Sequence, residues 1–416
     1  MNNPPSALQE LRIAIYGSFG YRDIGDEAML TADLDFITGE LGIPRTNITL
    51  IGGDPQYIAY YHDHPLERCA ESPDSAGVKA MVRELIDGKS AASHVRRQRR
   101  LRKIADQHDV LLISGGGTIN TRNPNGSSIK RMARLVDLFA GRGVPVFMSG
   151  QTIGPLGLVP AHDRLARMTL QKVDWLTVRD CGYSKRYIDM IAASIRNFLE
   201  TGDDAFYLPF EEASLPEEVE AWLADRSIVT MNITDYTSDT PEKKAYFASI
   251  VEHVVRTYDL DVVLVPHSGR DYAVLWQIFD MLDNAFKRHV LLPDTRMWHA
   301  SMIKQLISRS ELAIGGRYHF VVFAGTSNTP FIGMSGNHYS YIKQDGFARQ
   351  LGLERYILTE RETWDAACLH ERIGAARDER LSITDGSVGV TESMRTFGDW
   401  LAYQVLSDRR STTGSH

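Results

Sequence analysis

The stretch SELAIGGRYHFVVFAG (residues 310–325) contains an apolar strand, a tight turn and the start of a helix. The run LAI ends in a glycine pair, and glycine lets the backbone turn sharply between a strand and the next element. Arg317 and His319 follow that pair, so a cation and a titratable imidazole lie together where the strand ends. The same order of strand, glycine turn and helix recurs along the chain and predicts a parallel α/β fold.

The recurrence falls into two halves, and 416 residues are enough for two separate cores. Apolar strands are predicted at 12–19, 48–53, 109–117, 144–151 and 175–180, and again at 227–234, 261–269, 289–294, 310–316 and 330–336. An acidic, proline-containing segment at 209–227 lies between the halves. We predict two Rossmann-like parallel-sheet domains facing a cleft, an architecture that resembles GT-B. The predicted boundaries are an N-terminal α/β domain at 1–210, a C-terminal α/β domain at 211–365, and a helical segment at 366–416 that packs back and ends in a disordered tail.

Composition excludes several classes of protein. A net charge of −7 argues against a nucleic-acid binder, and no run approaches the ~20 apolar residues of a membrane span. The N-terminus lacks the pattern of a signal peptide, and the cysteines Cys69, Cys181 and Cys368 are isolated. We therefore expect a cytoplasmic protein. The absence of Walker A, GxGxxG and HExxH patterns predicts no cofactor and no metal.

The run RRQRRLRK (96–103) is the strongly basic stretch of the sequence. A solvated helix face is the plain interpretation of such a run. The alternative is a contact with anionic lipid headgroups, or with the diphosphate of a lipid-linked substrate, at the inner face of the membrane.

Ligands of parallel α/β sheets bind beyond the carboxyl ends of the strands, where the glycine-rich turns lie. A lone histidine is more often a core residue, but the arginine two positions before His319 favours an anion site. Arg179 follows another strand, with an ion pair to Asp180 as its plain role, and Lys343 is predicted in a loop after the strand at 330–336. Other candidates in such turns are Gly25, which supplies a tight turn, Asp26, which would cap the next helix, and Gly116, Gly117, Asn120, Gln151 and His267.

Taken in order, the turn motifs resemble those of the polysaccharide pyruvyl transferase family over roughly residues 12–355. They are the block from Gly17 to Leu30 ending in GDEAML, SGGGTIN (114–120), GQTIGPL (150–156), TVRD (177–180), DDAFYL (203–208), RYHFVVFA (317–324) and a late lysine within 335–353. The segment around that lysine, SGNHYSYIK, departs from the shorter tyrosine-containing versions of the family.

The resemblance implies a GT-B-like fold and a transferase that uses phosphoenolpyruvate as its donor substrate. Such enzymes place the pyruvyl group as a ketal on two sugar hydroxyls in the biosynthesis of surface polysaccharide, or exopolysaccharide. By position, Arg317 and His319 match the family's Arg-x-His motif, Arg179 its Arg-Asp motif and Lys343 its late lysine. These residues would hold phosphoenolpyruvate, and His319 would protonate its methylene carbon.

The acceptor would lie on the N-terminal side, with Asp26 either taking a proton from the attacking hydroxyl or serving as a helix cap. Asn120 and Gln151 are candidate partners for sugar hydroxyls. Two other functions fit the same features: a GT-B glycosyltransferase that uses a nucleotide sugar, and a non-catalytic partner in polysaccharide assembly. The sequence leaves open whether the acceptor is free, nucleotide-linked or lipid-linked, where the ketal forms, the oligomeric state, and divergence to another phosphoenolpyruvate reaction.

Overall fold

The computed structural model describes residues 8–72, 90–235, 237–378 and 394–403, which divide into two compact units. Unit 1 holds the described residues of 8–21, 29–204 and 394–403, and unit 2 holds those of 22–28 and 205–378. The division therefore falls after Asp204, whereas the sequence placed it after residue 210. The predicted tail beyond residue 403 lies outside the described residues.

Within the described residues, unit 1 contains a sheet of seven parallel strands in the order β3-β2-β1-β4-β5-β6-β7. The strands are β1 (Ile13–Tyr16), β2 (Ile48–Gly52), β3 (Cys69–Glu71), β4 (Val110–Ile113), β5 (Val146–Gln151), β6 (Trp175–Val178) and β7 (Phe198–Glu200). Its helices are α1 (Ile24–Asp35), α2 (Pro55–Tyr61), α3 (Ser90–Gln107), α4 (Ser127–Ala140), α5 (Pro160–Leu170), α6 (Tyr183–Met190) and a C-terminal helix at 394–403. The residues of α1 up to Ala28 group with unit 2.

Strand side chains of unit 1 alternate between two cores, as the period of two along a strand requires. Ala14 and Tyr16 enter the core covered by α3 to α6, whereas Ile13 and Ile15 enter the core covered by α1. The C-terminal helix covers the second core, where the Phe397 ring lies 5.0 Å from that of Phe147. Because both faces of the sheet are covered, its strands are apolar runs rather than alternating ones.

Unit 2 contains, in the described part of the chain, a sheet of six parallel strands in the order β10-β9-β8-β11-β12-β13. They are β8 (Ile228–Asn232), β9 (Asp261–Leu264), β10 (Val290–Leu291), β11 (Leu312–Gly315), β12 (Phe331–Met334) and β13 (Ile357–Leu358). The helices are α7 (Glu217–Leu223), α8 (Pro241–Tyr258), α9 (Gly269–Met281), α10 (Asn284–Lys287), α11 (Ala300–Ser308), α12 (Tyr318–Thr326), α13 (His338–Gln350), α14 (Glu360–Thr363) and α15 (Ala366–Asp378).

The predicted fold class is confirmed: both units are Rossmann-like parallel-sheet α/β structures of the GT-B-like kind. Three local predictions are wrong. Helix α1 begins at Ile24, so Asp23 precedes it and accepts a hydrogen bond from the Gly25 amide at 3.2 Å, in place of the cap predicted at Asp26. Lys343 lies on helix α13 instead of a loop, and the segment predicted as a link contains α7.

Lys304 on α11 is a buried cation with only 2% of its surface exposed. Its Nζ donates to the backbone oxygens of Phe206 at 3.3 Å and Leu208 at 3.0 Å, and lies 4.9 Å from the centre of the Phe210 ring. The lysine therefore anchors the segment that follows the division between the units. Burial lowers the pKa of Lys304 from 10.5 to about 8, and Glu211 opposes this shift.

We predict that Lys304→Met changes how stability depends on pH. Between pH 8 and 10.5 the unfolded lysine holds more protons than the folded one, so the wild-type free energy of unfolding rises with pH. Relative to the variant, the wild type should gain up to about 1.4 kcal/mol per pH unit in that window. Urea unfolding at several pH values measures this difference, and parallel pH profiles for the two proteins would contradict it.

Candidate functional site

Most of the predicted site residues lie just beyond the carboxyl ends of strands, whereas Lys343 lies on helix α13. Unit 2 contains Gly25, Asp26, His267, Arg317, His319 and Lys343, and unit 1 contains Gly116, Gly117, Asn120, Gln151 and Arg179.

Arg317 is the centre of the set in unit 2. It occupies the N-cap position of α12, and its backbone amide donates to Asn232 Oδ1 at 3.0 Å, at the end of β8. Its Nε and Nη2 donate to the two carboxylate oxygens of Asp271 at 2.9 and 2.7 Å. This paired geometry is the strongest arrangement that a guanidinium and a carboxylate can form.

Two more carboxylates face the same guanidinium. Asp23 Oδ2 lies 3.4 Å from Nη1, Asp235 Oδ1 lies 3.6 Å from Nη2, and the Ser268 hydroxyl lies 3.2 Å from Nη2. Burial raises the pKa of Asp271, and the charge and hydrogen bonds of Arg317 oppose that shift. The guanidinium thus joins β11, α9 and the segment before α1, with its donors directed at protein carboxylates.

His319 lies in the first turn of α12, with 9% of its surface exposed. Its ring rests against Gly25: a Cβ added to that glycine would lie 1.8 Å from Nδ1. The Tyr318 ring centre is 5.0 Å away. Gly25 therefore makes room for the imidazole of His319, which any larger residue would displace. It lies in the first turn of α1 rather than in the tight turn that was predicted.

His267 lies behind this pair, with 1% of its surface exposed. Neither ring nitrogen has a hydrogen-bond partner among the described residues, and the rings of Phe320 and Phe323 lie 5.6 and 5.8 Å away. Burial, followed by the charges of Arg317 and His319, holds the pKa of His267 well below its ordinary value. The ring is consequently a neutral packing group of the core.

Lys343 approaches the same turn from α13. Its Nζ lies 4.5 Å from the centre of the Tyr339 ring and 5.3 Å from that of Tyr318, the residue before His319. The side chain is half-buried. Arg317 provides no side-chain cap to α12, and Lys343 Nζ lies near the ring of Tyr318, the first residue of that helix, whose N-terminus is the positive end of the helix dipole.

Arg179 in unit 1 is buried, with 3% of its surface exposed, and forms an ion pair with Asp203 instead of Asp180. Its Nε also donates to Thr152 Oγ1 at 3.1 Å. The Asp180 carboxylate accepts from the amide and hydroxyl of Ser184 at 2.5 and 2.7 Å. Burial raises the pKa of Asp180 to about 7, although these hydrogen bonds oppose the shift.

The two amides predicted to bind sugar hydroxyls hold loops of unit 1. Asn120 Nδ2 donates to the Gly117 oxygen at 2.5 Å, and its Oδ1 accepts from the Arg122 amide at 2.9 Å. Gln151 is fully buried and donates to the Gly115 oxygen at 2.5 Å. Gly116 has a φ of +98°, which explains a glycine at that position.

Asp23 and Asp235, which face Arg317, and Asn232, which fixes its backbone, were not singled out from the sequence. Asp23 directly precedes the first turn of α1, and an acidic residue at the start of a predicted helix is the sequence signal that could have identified it. Nothing in the sequence indicated that its partner would be an arginine near residue 317. Among the described residues, no group of three or more histidine, cysteine, aspartate or glutamate side chains could hold a metal ion.

None of the helices in the described ranges combines the length and apolar character that a membrane-spanning helix needs.

The fold resembles several solved sugar-nucleotide and trehalose enzymes. The UDP-GlcNAc 2-epimerase of Methanocaldococcus jannaschii aligns with a TM-score of 0.62 and 12% identity, covering 94% of this chain and 99% of the epimerase. A putative UDP-N-acetylglucosamine 2-epimerase from Listeria monocytogenes gives 0.58 and 12%, covering 97% and 98%.

The α,α-trehalose 6-phosphate synthase of Burkholderia multivorans gives a TM-score of 0.51 and 11% identity, covering 97% of this chain and 99% of the synthase. At these identities the likeness establishes the fold. No curated protein matches the sequence. The model of the family described as polysaccharide pyruvyl transferase matches residues 46–338, which is more than half of the chain. The sequence motifs and this match agree, and the chain belongs to the polysaccharide pyruvyl transferase family.

Proposed function

We propose that the protein transfers the pyruvyl group of phosphoenolpyruvate to two hydroxyls of a saccharide, forming a pyruvate ketal, with His319 as the general acid. Family membership supports pyruvyl transfer. The observation that carries the assignment of His319 is its seat on Gly25, in a turn that Arg317 holds in place and that Lys343 approaches.

The chemistry requires a proton donor at one carbon of the donor substrate. Phosphoenolpyruvate is an enol phosphate, and His319 would deliver a proton to its methylene carbon as a sugar hydroxyl attacks the neighbouring carbon. Breaking the bond from that carbon to the phosphate oxygen then releases phosphate, and the second hydroxyl adds with loss of its proton. The methylene carbon has become the methyl group of the ketal.

The donor carries a phosphate and a carboxylate, so it needs positive partners. The N-terminal end of α12 and the ammonium group of Lys343 would supply them next to His319. We assign Arg317 a positioning role, because its donors are directed at Asp271, Asp23 and Asp235. Arg179 receives a structural role, since it is buried against Asp203.

Asp26 would accept the proton of the attacking hydroxyl. It is half-buried in the first turn of α1, one residue after the glycine on which His319 rests. The donor is a substrate that is consumed, and the scheme uses no further cofactor.

A nucleotide-sugar enzyme is the second candidate, and the fold similarity favours it. The Methanocaldococcus jannaschii epimerase has been solved in complex with UDP-GlcNAc and UDP, and its fold aligns with 94% of this chain. A non-catalytic partner in polysaccharide assembly is a third candidate. Such a protein would not need His319 in its observed position.

Thermal unfolding with phosphoenolpyruvate, UDP or inorganic phosphate distinguishes these functions. A ligand at 100 times its Kd stabilises a protein by about 2.7 kcal/mol, which is readily measured. We expect stabilisation by phosphoenolpyruvate that weakens in Lys343→Met and persists in the control Lys244→Met, whose lysine lies on α8. A response to UDP alone would favour the nucleotide-sugar enzyme, and no response to either would favour the non-catalytic partner.

We predict that Gly25→Ala lowers pyruvyl transfer by about 100-fold or more, because the new methyl group displaces the catalytic imidazole. Gly269→Ala is the matched control: Gly269 also lies in the first turn of a helix, and a Cβ there meets nothing within 4 Å. Its activity and melting temperature should stay close to wild type. Equal activity in the two variants, measured as phosphate release, would remove His319 from the mechanism.

The positioning role of Arg317 predicts a loss of stability as well as of activity. Arg317→Met leaves the buried carboxylate of Asp271 without its partner and should destabilise unit 2 by about 3–5 kcal/mol. The double variant Arg317→Met with Asp271→Leu should cost less than the two single variants together. Urea unfolding measures all four proteins, and strict additivity of the two single effects would show that the pair does not organise the site.

A further inference from the structure

One layer of unit 1 is strongly basic, and the proposed transfer reaction does not use it. Helices α3 to α6 cover the same face of the sheet, since their apolar side chains share one core; Leu101, Met132, Ala166 and Ile188 represent the four helices in it. The other face belongs to α1 and the C-terminal helix. We call the group of α3, α4, α5 and α6 the basic helical layer.

The layer concentrates positive charge on an acidic protein. It contains thirteen lysines and arginines, six in α3, three in α4 and two each in α5 and α6, against four aspartates, one in each helix. Its net charge of +9 contrasts with −7 for the whole chain, so the remainder carries −16. Such a separation indicates a surface for an anionic partner.

Ion pairs leave much of this charge uncompensated. Asp106 and Asp137 already pair with Arg142 and Lys172, two cations that lie outside the four helices. Arg99, Arg102 and Arg164 are exposed, and none of them has a hydrogen bond or ion pair with another described residue.

A groove of about 500 Å³ runs between α3 and α4. Its apolar part is formed by Leu138 and by the buried Leu101 and Leu135, its guanidinium groups come from Arg102, Arg134 and Arg142, and Gln98 and Asp137 complete the lining. Apolar surface bordered by cations suits a molecule with an anionic head and an apolar body, such as a phospholipid.

Exposed apolar side chains accompany the charges. Val95 on α3 is 46% exposed, Met168 on α5 is 48% exposed and Met190 at the end of α6 is 61% exposed. Leu158, two residues before α5, is 79% exposed. The aromatic side chains of the four helices are buried or half-buried, so the layer offers no stacking platform of the kind that single-stranded nucleic acid uses.

We propose that the basic helical layer is a docking surface for an anionic lipid membrane. Its arginines and lysines would contact lipid phosphates, and Leu158, Met168 and their apolar neighbours would enter the interfacial region of the bilayer. The chain would then work at a membrane surface while unit 2 performs its chemistry. This inference is independent of the donor substrate proposed above.

Vesicle sedimentation of the full-length protein tests the proposal. Vesicles of phosphatidylcholine with about 30% phosphatidylglycerol should bind the protein at low salt, and pure phosphatidylcholine should not. The triple variant Arg99→Glu, Arg102→Glu, Arg164→Glu should bind about 100-fold more weakly, because each basic residue near an anionic membrane contributes about a factor of five. Its control is Arg12→Glu, Arg361→Glu, Arg395→Glu, three exposed arginines outside the layer with the same total change of charge.

Further arms separate the alternatives. Leu158→Ser with Met168→Ser should weaken vesicle binding, whereas inorganic phosphate at matched ionic strength should not displace the vesicles. Unaltered melting temperatures show that the variants fold. The proposal is overturned if the wild-type protein does not bind anionic vesicles, or if both triple variants lose vesicle binding equally. It is also overturned if the layer binds duplex DNA in preference to lipid.

Discussion

The buried pairing of Arg317 with Asp271 is the interaction on which the candidate site depends. One guanidinium joins the end of β11, the first turn of α9 and the segment before α1, and each of these carries a part of the site. A buried carboxylate without its partner is costly, so the pair favours the arrangement of the loops in which the two groups meet. The imidazole of His319 rests on Gly25 within this arrangement.

The same constraint separates two kinds of positive charge in unit 2. Arg317 is committed to protein carboxylates, whereas the ammonium group of Lys343 lies against the Tyr339 and Tyr318 rings. The histidines divide in a similar way. His267 is buried in the core as a neutral ring, and His319 lies in the first turn of α12, where the proposed substrate would receive a proton.

Much of the fold follows from sequence pattern, because short apolar runs, many of them ending in glycine, are the local signature of parallel strands, and ten strands were placed from such runs. The edge strands β3, β7 and β13 were missed, since two or three residues are too few to show a period. The site was predicted as residue types at strand ends. Its contacts were not predicted, because Asp23 and Arg317 are 294 residues apart in the sequence, and no local pattern connects Gly25 with the His319 ring that rests against it.

The origin of the methyl protons in the product tests the central claim most directly. The protein would be incubated in D₂O with phosphoenolpyruvate and a panel of saccharides that carry neighbouring hydroxyl pairs, and the products analysed by proton NMR and mass spectrometry. Protonation of the methylene carbon by His319 predicts a ketal whose methyl group contains one deuterium, formed together with one equivalent of phosphate. A ketal methyl group without deuterium, or turnover of a UDP-sugar with phosphoenolpyruvate unchanged, would contradict the account.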